Sequence, residues 1–584
     1  MKAICSILLC LFVSSSAWCQ QFYLRGEIKD ESGNALQNVS ILNVRTGYVY
    51  KSGSQGSFGI ITSQQIDTFS FSLNGYKTEQ VVANTDNYLT VKLKLSTTGA
   101  STFRQNKLSS LTNGMAKEEQ RNWFAGDETY ASIIENHFVN ARRFPATGLS
   151  LNVDRASYSN IRRFLTLHSR VPPDAVRIEE MLNYFNLNYT EPSGNELFAV
   201  QTRLTTCPWN AGNQLFYINL SAKKIDREKL LPTNLVFLID VSASMDMANR
   251  LPLLKSAFRM LVNNLRDKDS VSIVVYGGAT GIMLNTTSGK EKEKILKAID
   301  ELTPGGSTPG ESGIKLAYGV AKNHFIQGGN NRVILATDGD FNVGLRKEEE
   351  LNELISQHRE SGIYLTCLGV GMGNYKDSKI QTLARKGNGN FAYFDNFAEA
   401  EKVLMKEFTQ TLYAVADDVY MNVQFNPDYV KEYRLIGFDN KAGAINDTLA
   451  AVEGGEIGSG YSMMGVFEIE PERDLVSSRT PQFATIKLNY RYPNDSVHHL
   501  YLHNSVYDLQ PFDKIENCYR FSAAVVMFGS LLRSSPFVRI PDWNAVSSLA
   551  AASADINNIS QQEFLSLVAM AKELYIKKKK RGKN

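Results

Sequence analysis

Cysteine is scarce, with six in 584 residues. Three of them (Cys5, Cys10 and Cys19) fall in the first 19 positions. The other three, Cys207, Cys367 and Cys518, are far apart and odd in number. That excludes a disulfide framework, and no CxxC pair offers zinc-ligand spacing. They are expected as buried apolar thiols. An excess of one charge is also missing: 63 Lys and Arg stand against 60 Asp and Glu, so nothing global argues for a nucleic-acid partner. Histidines are few and scattered. Only His499 and His503 alternate at strand spacing, around Tyr501. A zinc site there would need a third ligand, so an exposed strand face is expected. No HxxE zinc motif occurs, and GYSMMG lacks the spacing of a GxSxG nucleophile elbow. Beyond the N-terminus no apolar run reaches the 18 or so residues of a membrane helix, so no transmembrane helix is expected.

What is present begins with an export signal. Lys2 supplies a positive start, Ile4 to Val13 an apolar core, and Ser14 to Ala17 a small polar stretch. Ala17 and Cys19 then occupy the −3 and −1 positions of a cleavage before Gln20. Acylation of Cys19 as a lipoprotein is the alternative, and Trp18 is a poor neighbour for it. The expected location is the periplasm, cell envelope or surface.

Length implies three to four domains. Residues 22–95 alternate apolar and polar at Tyr23–Ile28, Ser40–Val44, Phe58–Ile61 and Thr68–Leu73, with turn residues between, as in a small β-sandwich. Residues 96–130 are polar and read as a linker. A mixed region spans 131–230, with helix patterns at Ser159–Leu167 and Ile178–Phe185 and strands at Phe198–Leu204 and Leu215–Leu220. From 233 to 412 strands alternate with helices. Leu235–Ile239, Val271–Tyr276, Val333–Ala336 and Tyr364–Val370 are continuously apolar. The helix candidates are Leu253–Leu265, Glu291–Leu302, Gly310–His324 and Glu348–Glu360. This predicts a doubly wound, mostly parallel sheet with helices on both faces, whose ligands bind at the strand carboxyl ends. Residues 413–576 are β-rich, then helical at Tyr519–Leu532 and Gln561–Tyr575. The basic run 577–584 reads as a solvated terminus. The fold class is therefore multidomain α/β plus β.

Three motifs fall at predicted strand ends. In NLVFLIDVSASM, Asp240 closes a strand and Ser242 and Ser244 follow at alternate positions. GGSTPGESGI carries Thr308 in a glycine-rich loop, and in VILATDGD Asp338 closes another strand. Together they offer carboxylates and hydroxyls, a hard-oxygen set suited to Mg²⁺, Mn²⁺ or Ca²⁺ rather than Zn²⁺. The GxxxxG spacing of the second motif also suggests a phosphate cradle, but Glu311 stands where that loop needs lysine.

These motifs resemble the metal-ion-dependent adhesion site of von Willebrand factor type A (VWA) domains, whose pattern is DxSxS, a threonine and an aspartate. The resemblance implies that Asp240, Ser242, Ser244, Thr308 and Asp338 hold one divalent cation, with the serines and threonine as direct ligands. Ala243 departs from the usual DxSGSM. If that position requires positive φ, alanine would cost about 1 kcal/mol there. GEIKDESGNALQNVSILN, SQGSFGI and LNGYKTEQVV resemble the carboxypeptidase regulatory-like (transthyretin-like) module, an accessory β-sandwich without peptidase activity. FPATGLSLNVDRASYSNIRRFL, VRIEEMLNYF, TDGDFNVG, VQFNPDYVKEYRLIGFDN and GEIGSGYSMMGVFEI resemble the YfbK-type bacterial VWA proteins.

The expected function is metal-dependent protein binding and adhesion, not catalysis. A protein ligand's acidic side chain would complete the cation's coordination, and loops at Gly305–Pro309 and Phe341–Gly344 would choose the partner. The alternatives are a metal-dependent hydrolase, for which no general base is evident, and a structural envelope protein in which the metal only stabilises the fold.

Overall fold

A computed structural model describes residues 22–94, 128–438 and 455–576, apart from short stretches within them that include 278–279, 307–309, 340–347 and 372–376. The expected signal, most of the linker and the basic tail lie outside the described residues. The described chain forms two compact units, divided in the polar segment near residue 119. None of its helices is long and apolar enough to cross a membrane.

The first unit is a two-sheet sandwich. Phe22–Asp30 runs antiparallel to Ser57–Thr62 and parallel to Leu89–Leu93. The facing sheet orders Val49–Lys51, Ser40–Asn43, Ile66–Ser72 and Glu79–Asn84. Alternate side chains meet between the sheets: Leu24, Ile28, Phe58 and Ile60 from one, Ile41, Phe69 and Phe71 from the other. This is the period-2 burial expected of half-buried strands.

At the centre of the second unit lies a six-stranded sheet, ordered Gly281–Ser288, Ser270–Tyr276, Thr233–Asp240, Asn330–Thr337, Ile363–Val370 and Phe391–Phe394. Its pairings are parallel except at the edge strand Gly281–Ser288. Thr233–Asp240 shows why the apolar run is unbroken. Leu235, Phe237 and Ile239 pack toward helices Leu251–Asn263 and Lys292–Asp300. Val236 and Leu238 pack toward helices Gly310–Asn323, Glu348–Glu360 and Asp377–Lys386 on the other face. Both faces are covered, so both sets of side chains must be apolar. The chain passes from Thr233–Asp240 to its neighbour on one side, then returns to Asn330–Thr337 on the other. This reversal of strand order opens a crevice at the carboxyl ends of those two strands.

The regions before and after this α/β domain do not form separate bodies. A six-stranded sheet orders Leu509–Gln510, Phe198–Thr206, Gln214–Ala222, Ser462–Pro471, Val430–Ile436 and Val139–Asn140. In a second sheet, Ala146–Ser150 from before the domain pairs with Ala414–Phe425 from after it. Helices Asn517–Arg533 and Ile559–Ile576 share one apolar core with Ala156–Thr166 and Ile178–Leu182. The α/β domain is thus an insertion in an interleaved β-rich body.

One surface expectation is reversed. His499, Tyr501 and His503 lie on one face of strand His498–Val506, and that face is half-buried. The His499 ring stacks on Tyr490 with centroids 5.3 Å apart. The exposed face carries Leu500 and Leu502 instead. The face that packs on the neighbouring sheet here is the one bearing histidine and tyrosine, side chains with an apolar body and a polar tip.

Candidate metal centre

The crevice between Thr233–Asp240 and Asn330–Thr337 brings together four of the five predicted ligands. Asp240 is the last residue of its strand. Its carboxylate is almost fully enclosed, 1% exposed. Oδ1 accepts the Ser242 backbone N–H at 2.9 Å. Oδ2 accepts the hydroxyls of Tyr276 at 3.2 Å and Thr337 at 3.1 Å. Burial pushes the carboxyl's pKa up, and the charge of Asp338 adds to that, against the lowering effect of the Ser242 and Thr337 hydrogen bonds.

The chain then turns sharply through Ser242 into a short 3₁₀ segment, Ala243–Met245. Ala243 is not among the residues with positive φ, so the alanine carries no left-handed penalty. The Ser242 and Ser244 hydroxyls lie 3.0 Å apart. Gly277, at φ +120°, backs this turn: a Cβ there would sit 2.2 Å from the Ser242 nitrogen. Two backbone bonds tie the turn to the glycine-rich loop. The Ala243 N–H donates to the Gly306 carbonyl at 3.1 Å, and the Gly305 N–H to the Val241 carbonyl at 2.7 Å. Thr308, two residues beyond Gly306, lies outside the described residues, as does the expected selector loop Phe341–Gly344.

Asp338 follows its strand directly and is buried. Its Oδ2 accepts from Arg250 Nη1 at 2.6 Å. The same nitrogen donates to the Ser244 carbonyl at 2.6 Å, so one guanidinium links the serine turn to the second aspartate.

The donor chemistry fits a hard cation. Two ligands of an octahedral ion, each 2.0–2.1 Å away and at right angles, lie about 2.8–3.0 Å apart. The Ser242 and Ser244 oxygens, hydrogen-bonded to each other at 3.0 Å, are already spaced so that both could face one ion. Among the described residues no three His, Cys, Asp or Glu side chains converge, here or elsewhere, so the site rests on two carboxylates and hydroxyls. The supporting residues Tyr276, Gly277, Thr337 and Arg250 were not singled out from sequence. Gly277 could have been: a glycine closing an apolar strand marks close backbone approach. Arg250 offers no such signal.

Residues 234–409 match the von Willebrand factor type A domain, and residues 410–574 the family described as "Uncharacterized protein YfbK, C-terminal". Residues 125–217 match the family described as "von Willebrand factor". Protein YfbK of Escherichia coli K12 is 36% identical over 474 residues, which cover 76% of this chain and 81% of that protein. Protein sll0103 of Synechocystis is 28% identical over 188 residues, 31% of this chain and 42% of its own length. The solved von Willebrand factor type A structure from Catenulispora acidiphila covers 66% of this chain at 12% identity, with a TM-score of 0.40. VWA domains typically mediate protein interactions and commonly bind a divalent metal. An inserted VWA domain, a matching C-terminal region and identity over most of both chains place this protein in the YfbK family of VWA-domain proteins.

Proposed function

We propose that this protein binds a protein partner through one divalent cation, Mg²⁺ or in its place Mn²⁺ or Ca²⁺, held by Asp240, Ser242, Ser244, Thr308 and Asp338. The observation that carries the reading is the meeting of the Ser242 and Ser244 hydroxyls with the buried carboxylates of Asp240 and Asp338 at the ends of two neighbouring strands. When bound, the cation supplies an open coordination position for an outside oxygen. The chain's own residues do the rest. Tyr276 and Thr337 fix the Asp240 carboxylate, Gly277 lets the serine turn close over it, and Arg250 holds Asp338 against that turn. An Asp or Glu side chain of the partner fits the open position, because a carboxylate brings both the oxygen and the missing charge.

The same reading takes the first 19 residues as an export signal, so that partner capture happens in the envelope or at the surface. It takes residues 22–95 as a carboxypeptidase regulatory-like accessory module. The two-sheet sandwich seen for 22–94 agrees with that in shape.

The test is retention of envelope proteins from the native cell on the full chain, with and without chelator. A partner that is lost with chelator, returns with Mg²⁺ and is not held by Asp240→Ala supports the reading. A partner retained equally in chelator means that binding does not run through this site.

A further inference from the structure

We propose that Arg250 sets the charge of this site: it offsets Asp338, so that a bound divalent cation keeps net positive character and favours an anionic ligand, while the cation itself is held less tightly. The proposal rests on the cation-site reading above and deepens it.

The geometry makes Arg250 part of the site. It is buried at 7% exposure and stands just before helix Leu251–Asn263, whose second residue is Pro252. Its Nη1 reaches both Asp338 Oδ2 and the Ser244 carbonyl at 2.6 Å. Its aliphatic and guanidinium atoms lie against Gly371. A Cβ at Gly371 would sit 2.5 Å from Arg250 Nε, and the φ of +81° there also suits glycine. Backbone on that side therefore leaves room for a side chain of this size to run alongside it.

The charges then decide the outcome. Two carboxylates and a divalent cation sum to zero, which leaves no net attraction for an incoming carboxylate. Arginine stays protonated in proteins, so Arg250 raises the sum to +1. Buried charges are screened far less than exposed ones. The effect on the cation and the effect on the ligand have opposite signs: Arg250 repels the metal and attracts the anion. Arg250 is thus a positioning and specificity residue for the site, not a metal ligand.

The experiment measures Mn²⁺ affinity of the full chain by calorimetry for wild type, Arg250→Gln, Arg250→Lys and Asp240→Ala, with circular dichroism to confirm folding. If charge is the cause, Arg250→Gln binds Mn²⁺ at least about tenfold tighter. Arg250→Lys, which keeps the charge but not the fork, stays within about threefold of wild type. If Arg250→Gln binds Mn²⁺ equally or more weakly, or if Arg250→Lys tightens as much as Arg250→Gln, the charge assignment is overturned. A misfolded Arg250→Gln leaves the lysine variant to decide: tightening there contradicts the proposal. Failure of wild type to bind Mn²⁺ is a separate result and sinks the cation site itself.

Discussion

At the scale of single residues the site depends on backbone as much as on ligands. Gly277 holds a φ that L side chains rarely adopt and leaves 2.2 Å between its missing Cβ and the Ser242 nitrogen. Gly277→Ala must shift the serine turn, with a strain of about 1–3 kcal/mol. Much of that falls on the metal-competent geometry, so Mg²⁺ affinity should drop by roughly tenfold or more while secondary structure is retained. Titration calorimetry beside circular dichroism separates the two, and unchanged affinity would mean that the turn does not need this glycine. The meeting of Asp240, Ser242, Ser244 and Asp338 was legible in the sequence, because each lies at or just past the end of an apolar strand. Arg250 was not, because a lone arginine before a helix has no period and no motif to mark it. Its role appears only when the two loops are seen side by side.

Elements were legible where burial is two-sided. Thr233–Asp240, Asn330–Thr337 and Ile363–Val370 extend the predicted apolar runs by one to three residues at an end. Strand Gly281–Ser288 was not legible: it is the antiparallel edge, only partly buried, and the apolar run in GIMLNTTS is just three residues long, Ile282 to Leu284. Strand Asn330–Thr337 also carries a feature that hydropathy hides. Arg332 is fully buried. Its Nη2 donates to both Glu456 carboxylate oxygens at 2.7 and 2.8 Å, and its Nη1 donates to the Thr366 hydroxyl at 3.0 Å. Glu456 belongs to the strand Gly455–Gly458 of the surrounding body, so this pair fastens the inserted domain to its frame. Glu456→Ala leaves a buried guanidinium without its counter-ion and should destabilise by about 3–5 kcal/mol. The Arg332→Met/Glu456→Leu double variant should recover most of that loss. Urea denaturation of the three proteins checks this. A single variant within about 0.5 kcal/mol of wild type would show that the pair does not fasten anything.

For the whole molecule, the order of segments along the chain was readable and their interleaving was not. Composition separates the sandwich, the α/β stretch and the flanking regions. Nothing local shows that Ala146–Ser150 pairs with Ala414–Phe425, or that Gln214–Ala222 lies beside Ser462–Pro471. Such register is set by long-range matching of apolar faces, which one sequence does not display. The consequence for function is mechanical. Both ends of the inserted domain are anchored in one frame by strand pairing and buried ion pairs, among them Arg177 with Asp377 and Arg162 with Asp395. The carboxyl-end crevice thus belongs to a domain tied into that frame. Everything proposed for that crevice depends on one cation being held there. Titration of the full chain with Mg²⁺, set against Asp240→Ala, tests this most directly. One site per chain in wild type and none in the variant is the predicted result; the same stoichiometry in both proteins would contradict the account.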